Sequence, residues 1–259
     1  MTTSSSTTPA PIALVTGASR GLGKSTVLNL AKTGHDIVLT YLSREAEALE
    51  VVAAIEAMGR KALAIQLDVA DATSFEAFAT TLATALQGHF GSNRLQVLVN
   101  NAGFGAHGTL ANTTPAQFDA LMNVHLKGPY FLTQQLLPLL ADGARIVNIS
   151  SGLTRFALPG YSAYAAMKGA VEVLSRYMAK ELGARGIAVN TVAPGAIATD
   201  FGGGAVRDNA QLNSFVAAQT ALGRVGETED IGPMIASLVS TDNRWINAQR
   251  IEVSGGMFV

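Results

Sequence analysis

Thr16-Gly17-Ala18-Ser19-Arg20-Gly21-Leu22-Gly23 decides the fold of this chain, because an apolar run at residues 12–16 enters it and a helical pattern at 21–33 leaves it. A strand that ends in a glycine-rich turn and reopens as a helix aims several backbone N–H groups at one point. The positive end of the helix dipole adds to them, and the combination suits a pyrophosphate. Gly17 permits the tight turn, Gly21 the close approach of a phosphate, and Gly23 close packing of helix on strand. Ser19, Arg20 and Leu22 complete the lip. The spacing is G-x-x-x-G-x-G, which departs from the G-x-G-x-x-G of the general dinucleotide fingerprint. The strand before and the helix after are what make this a nucleotide site.

Outward from that turn the pattern repeats. Strand-length aliphatic runs lie at 12–16, 36–41, 62–67, 95–99, 144–150, 187–191 and 250–253. Helical spacing fills 21–33, 45–58, 74–87, 115–140 and 162–183 between them. Such alternation is expected to build a mostly parallel, seven-stranded, doubly wound α/β sheet with helices on both faces and right-handed crossovers. Asp71, followed by Ser74, and Thr114, followed by Pro115, are expected helix starts. Residues 12–259 read as one domain. Residues 1–11, rich in Ser, Thr and Pro, read as a disordered leader and lack the basic and apolar regions of a signal peptide. The stretch 195–226, broken by Gly202-Gly203-Gly204, is an irregular insertion, and residues 196–226 read as a substrate lid.

The end of the second run selects the nucleotide. An acidic residue there, about 20 residues past the glycines, binds a ribose 2′-hydroxyl and repels a 2′-phosphate. This chain has Thr40-Tyr41-Leu42-Ser43-Arg44 instead. Tyr41 and Ser43 are neutral, Arg44 and Arg20 supply positive charge, and a guanidinium fork matches a phosphate. NADP(H) is expected over NAD(H).

Composition narrows the remaining possibilities. The 259 residues carry a net charge of −1, which offers no field for nucleic acid or an acidic membrane. There is no cysteine, so disulfides and thiol chemistry are excluded, and four scattered histidines argue against a metal. No apolar run approaches the roughly 18 residues of a membrane span. A cytoplasmic protein is expected. Hydrophobic residues at 48% against 14% charged leave surface apolar enough for subunit contacts.

Chemistry enters at Tyr164-Ala165-Ala166-Met167-Lys168. Residues four apart on a helix share a face, so a cation stands beside a phenol. A free tyrosine has a pKa of about 10, and a nearby ammonium favours the phenolate. Ser151 precedes the tyrosine by thirteen residues; Ser150 is its neighbour and rival.

Taken in order, Thr16–Gly23, Asp68, Asn100-Asn101-Ala102-Gly103, Asn123, Ser151, Tyr164, Lys168 and Pro194-Gly195-Ala196-Ile197-Ala198-Thr199 resemble the short-chain dehydrogenase/reductase family in its single-domain branch. The resemblance runs from residue 12 to residue 259 and implies a Rossmann fold. It implies that Asp68 meets the adenine amine with Val69 beside it, and that Asn100, Ala102 and Gly103 lie along the cofactor. It further places Pro194, Gly195, Ile197 and Thr199 near the nicotinamide end. Tyr164 is implied as proton donor and acceptor, with Lys168 reaching the nicotinamide ribose and Ser151 holding the substrate oxygen. Asn123 is implied to fix a water in a proton relay to the lysine. A carbonyl or secondary alcohol is the implied substrate, and a homotetramer or dimer the implied assembly.

Two other functions are set against ketone reduction. A 3-oxoacyl-acyl-carrier-protein reductase needs a basic docking patch, to which Arg185 contributes while Asp142 has the wrong sign. A non-catalytic NADP-binding sensor or scaffold has no need of the serine, tyrosine and lysine that this chain keeps. His107, His125, Arg155, Phe156 and Tyr161 are further pocket candidates, and Phe201 and Phe215 are expected to shape an apolar cavity.

Overall fold

Strand β1 (Ile12–Val15) is buried at all four positions, as an apolar run without alternation requires when both faces of a sheet are covered. The computed structural model describes residues 10–259, so all but the last two positions of the expected leader lie outside the described residues. Around β1 lie β2 (Asp36–Tyr41), β3 (Ala62–Gln66), β4 (Leu95–Asn100), β5 (Leu140–Ile149), β6 (Ala188–Pro194) and β7 (Arg250–Val253). Among the described residues they form one seven-stranded sheet in the order β3-β2-β1-β4-β5-β6-β7, with every pairing parallel. The order reverses between β1 and β4, and in open sheets ligands bind beyond the strand ends at that point.

Alternate side chains of β1 serve two cores. Ala13 and Val15 pack with Val27 and Leu30 of α1 (Gly21–Lys32), Val51 of α2 (Glu45–Glu56) and Ile231 and Ile235 of α9 (Thr228–Leu238). Ile12 and Leu14 pack on the other face with Leu82 of α3 (Phe75–Ala85), Leu132 of α5 (Gly128–Leu136) and Met178 of α6 (Ser162–Leu182). The expected helix starts fall where their side chains cap. Asp71 accepts from the Thr73 N–H ahead of α3, and Thr114 forms a reciprocal cap with Gln117 at α4 (Pro115–Met122).

Three expectations change. The single helix expected over 115–140 is α4, then a π turn over Asn123–Lys127, then α5, and the chain is already entering β5 at Leu140. Pro129 cannot donate the bond that an uninterrupted helix asks of it, and Pro138 repeats the problem beyond the end of α5. Bare Gly128 also lets the turn close on the loop after β3, where a Cβ would meet the Val69 carbonyl at 2.5 Å. Second, the stretch expected to be irregular holds α7 (Ala205–Asp208) and α8 (Ala210–Ala218), although Gly202, Gly203 and Gly204 do break it with three successive positive φ angles. Third, α9 was not anticipated, since Pro233 lies inside it.

Phe118, Tyr130, Phe131, Val173 and Tyr177 stand exposed on α4, α5 and α6. No described helix is long and apolar enough to cross a membrane.

Candidate active site

A cavity of ≈ 610 Å³ opens beyond the strand ends at the β1/β4 reversal. Its floor is the glycine turn. Gly17 has φ +64°, and a Cβ there would press on the Ala102 backbone at 2.8 Å. Gly21 has φ +55°, and its imagined Cβ would meet only the Thr199 methyl at 4.0 Å, leaving the backbone bare toward the cavity. The start of α1 has no side-chain cap and no acidic residue in its first turn, so its N–H groups and dipole are free for an anion. Thr40 Oγ1 takes the Gly17 N–H at 3.1 Å, and Thr16 Oγ1 takes the N–H groups of Asn101 and Ala102 at 3.0 Å. The turn is thereby held by β2 and β4 together.

Most of the expected cofactor residues line this cavity: Gly17, Ser19, Arg20, Gly21, Leu22, Gly23, Tyr41, Ser43, Arg44, Asp68, Val69, Ala102, Gly103, Pro194, Gly195, Ile197 and Thr199. Asn100 does not. Its amide turns inward to Asn148 Oδ1 at 2.7 Å and Thr133 Oγ1 at 3.1 Å. Its neighbour Asn101 lines the cavity instead and donates to the Thr16 carbonyl at 2.8 Å. The two arginines expected at a 2′-phosphate already have carboxylate partners, Arg20 with Asp200 at 2.7 Å and Arg44 with Glu47. Both pairs are largely exposed, and ion pairs of that kind hold only weakly.

The catalytic candidates meet at the far wall. Ser151 ends β5's extension, where its Oγ takes the Leu153 N–H at 3.2 Å. Tyr164 and Lys168 lie on successive turns of α6, both buried. Ser151 and Tyr164 face the same cavity, whereas Ser150 donates to Glu172 Oε1 at 2.6 Å and is occupied there. The same Glu172 oxygen receives Thr154 Oγ1 at 2.7 Å and Arg250 Nε at 2.8 Å. Arg250 and Arg155 then both hold Glu252, and Arg155 reaches the carbonyls of Met257 and Phe258. Glu252 is held down to about 2, first by the Arg155 guanidinium.

Asn123 does not line the cavity; His125, two residues on, does. The π turn carries one more residue than an α turn and so changes which side chain faces inward. Of the other candidates, Phe156 and Tyr161 line the cavity, Arg155 is tied to Glu252, and His107 sits in a small adjoining pocket behind Tyr164. Phe201 lies against the Tyr164 ring with centroids 5.7 Å apart.

The electrostatics differ from the sequence reading. Burial pushes the Tyr164 phenol well above its ordinary value, and the neighbouring Ser151 hydroxyl only partly offsets that. The Lys168 ammonium donates to the Ile149 carbonyl at 2.8 Å and stands 5.6 Å from the Tyr164 ring centroid. Burial lowers it to about 7. In the protein alone, then, the phenol is a firmly protonated acid and the lysine is poised to exchange a proton near neutrality.

That poise has a stability consequence. Lys168 has a folded pKa of about 7 against an ordinary 10.5, so between those values the unfolded chain binds the extra proton and stability rises with pH. Above about pH 10 the raised Tyr164 phenol acts in the opposite sense. Unfolding of the cofactor-free protein between about pH 7 and pH 10 should show stability climbing, and Lys168→Met should flatten the climb. A wild-type stability that falls over this interval contradicts the burial described.

A family model described as enoyl-(acyl carrier protein) reductase matches residues 17–258. An uncharacterized oxidoreductase of Methylorubrum extorquens is 38% identical over 246 residues, covering 95% of this chain and 97% of its own length. The 3-oxoacyl-acyl-carrier-protein reductase FabG of Staphylococcus aureus is 37% identical over 249 residues, covering 95% and 98%. The angucycline C-6 ketoreductase LanV, solved with bound NADP, superposes with a TM-score of 0.91 at 35% identity, covering 96% and 95%. This chain belongs to the short-chain dehydrogenase/reductase family. It is an oxidoreductase of that family.

Proposed function

We propose that the chain reduces a ketone or aldehyde with NADPH, and oxidises the corresponding alcohol in reverse. The observation that carries this reading is the meeting of Ser151, Tyr164 and Lys168 in one cavity with an uncapped helix N-terminus and a bare glycine cradle. The cofactor is NADP(H). The cradle fits its pyrophosphate, Tyr41, Ser43 and Arg44 rim the place for its 2′-phosphate, and LanV was solved with NADP. Glu47, paired with Arg44, and Asp200, paired with Arg20, are carboxylates of the wrong sign beside that place.

When bound, the cofactor supplies the hydride that goes to the carbonyl carbon. Ser151 donates to the substrate oxygen and holds the carbonyl for attack. Tyr164 gives its proton to that oxygen as the C=O π bond is spent, and its burial keeps it protonated until then. Lys168, near 7, exchanges a proton with its surroundings at neutral pH and supports the phenolate left behind. Holding donor and acceptor in near-attack geometry contributes about 7–11 kcal/mol to the rate. Phe156, Leu158, Phe201, Leu212 and Val216 make the substrate end apolar.

A panel of ketones, aldehydes and secondary alcohols, followed by nicotinamide absorbance with each cofactor in turn, tests this. Turnover with NADPH should exceed that with NADH by about tenfold or more, the equivalent of roughly 1.4 kcal/mol. NADPH binding without turnover of any carbonyl would leave a sensor or scaffold instead.

The likeness to FabG favours a second reading, reduction of 3-oxoacyl thioesters on a carrier protein. Arg185, the basic residue considered for docking that acidic partner, is bound to Asp142 at 2.8 Å and to the carbonyls of Leu137 and Leu140. A rate on acetoacetyl thioesters far above that on simple ketones in the same panel selects this reading.

A further inference from the structure

His125 is 1% exposed, and its Nε2 lies 2.8 Å from the Phe104 carbonyl, in the loop that follows β4. A carbonyl only accepts, so Nε2 carries the hydrogen and donates it. The same ring meets Tyr164 edge to face, with centroids 5.1 Å apart and planes at 88°. It also touches the Phe104 ring at 5.5 Å. On its loop side there is no side chain to spare, since a Cβ on Gly103 would stand 2.7 Å from His125 Cε1. The second ring nitrogen, Nδ1, is buried without a hydrogen-bond partner. A phenylalanine would fill this space without the unpartnered Nδ1, at the loss of the donor to the Phe104 carbonyl. What the imidazole offers beyond such a ring is the single Nε2–H.

We propose that His125 is a positioning residue that fastens the loop after β4 to the Tyr164 ring, so that the proton donor and the loop along the cofactor keep one fixed relation. The π turn over Asn123–Lys127 is what brings it there. The titratable groups facing it are Tyr164 and Lys168, both from α6; the loop offers it the Phe104 backbone. Burial first, then the Lys168 charge, hold its pKa at about 3. It therefore stays neutral and takes no part in carrying protons at neutral pH. Its effect on turnover rests on the carbonyl-reductase reading, while its tautomer and contacts do not.

Two measurements on the full chain test this, one of them independent of activity. Imidazole ¹⁵N–¹H spectra, with the His125 signal assigned by its loss in His125→Gln, should show a neutral Nε2–H ring from neutral pH down to about pH 5. A ring protonated at Nδ1, or one that titrates near its ordinary 6.5, overturns the proposal whether or not any carbonyl is reduced. The second measurement is a set of three variants. His125→Gln can place an amide N–H where Nε2 sits, His125→Asn places it nearer Nδ1, and His125→Phe keeps a ring without a donor. Displacing a catalytic group by about 1 Å can cost on the order of 10²-fold, so kcat should fall by about that factor in the Asn and Phe variants and largely recover in Gln. NADPH affinity and melting temperature should stay near wild type. Wild-type kcat in His125→Phe, or losses in all three that follow the melting temperature, would sink it.

Discussion

Tyr164→Phe lowers kcat for carbonyl reduction by about 10²–10⁴-fold while NADPH binds as before, which is the range expected when a positioned general acid is removed. The phenol shares the cavity wall with Ser151, and burial keeps it protonated. A phenylalanine ring preserves the packing against His125 at 5.1 Å and Phe201 at 5.7 Å, so the fold and both ring contacts survive. Fluorescence titration with NADPH separates binding from turnover. A variant that turns over ketones at a near-normal rate removes Tyr164 from the chemistry. Lost NADPH binding in the same variant means that the substitution disturbed the site, and the comparison then passes to Lys168→Met.

Gly23→Ala has the second large effect, and it acts on the cradle. A Cβ at this position would stand 2.5 Å from the Gly17 carbonyl, 2.6 Å from Asn101 Nδ2 and 2.7 Å from Ala18 Cα. Two of those three atoms are backbone, and Asn101 is pinned by its bonds to Thr16 and Gly17, so none can swing aside. Helix α1 has to move off the turn, which costs about 1–3 kcal/mol as for other overpacked sites. The same movement takes its N–H groups away from the phosphate position. The variant should melt several degrees lower and bind NADPH at least about tenfold more weakly, since roughly 1.4 kcal/mol is one decade of affinity. Unaltered affinity would show that the cradle is not where the pyrophosphate sits.

What could be read in the sequence, and what could not, divides along the range of the signals. The glycine turn, the strand–helix alternation and the Ser151–Tyr164–Lys168 spacing are local, and each states its geometry within one or two elements. The inward face of 115–140 is not local in that sense. One extra residue in a turn shifts every later side chain around the helix axis, and the apolar spacing survives the shift, so Asn123 looked as well placed as His125. Gly128-Pro129 was the available clue. Asn100 and Asn101 were separable only by knowing that β4 ends at Asn100 and turns that side chain toward Asn148. The pairing of Arg20 with Asp200 joins residues 180 positions apart, for which a single sequence holds no signal. The acidity of Tyr164 depends on how deeply it is buried, which neighbours on a helix do not disclose.

The carboxylate of Glu172 binds together parts of the chain that lie far apart in sequence. Through one oxygen it joins the shelf under Ser151 to the last strand, and through Arg155 the linkage continues to the carbonyls of the final residues. The closing residues therefore have a bonded route to the wall that carries Ser151, some hundred positions earlier.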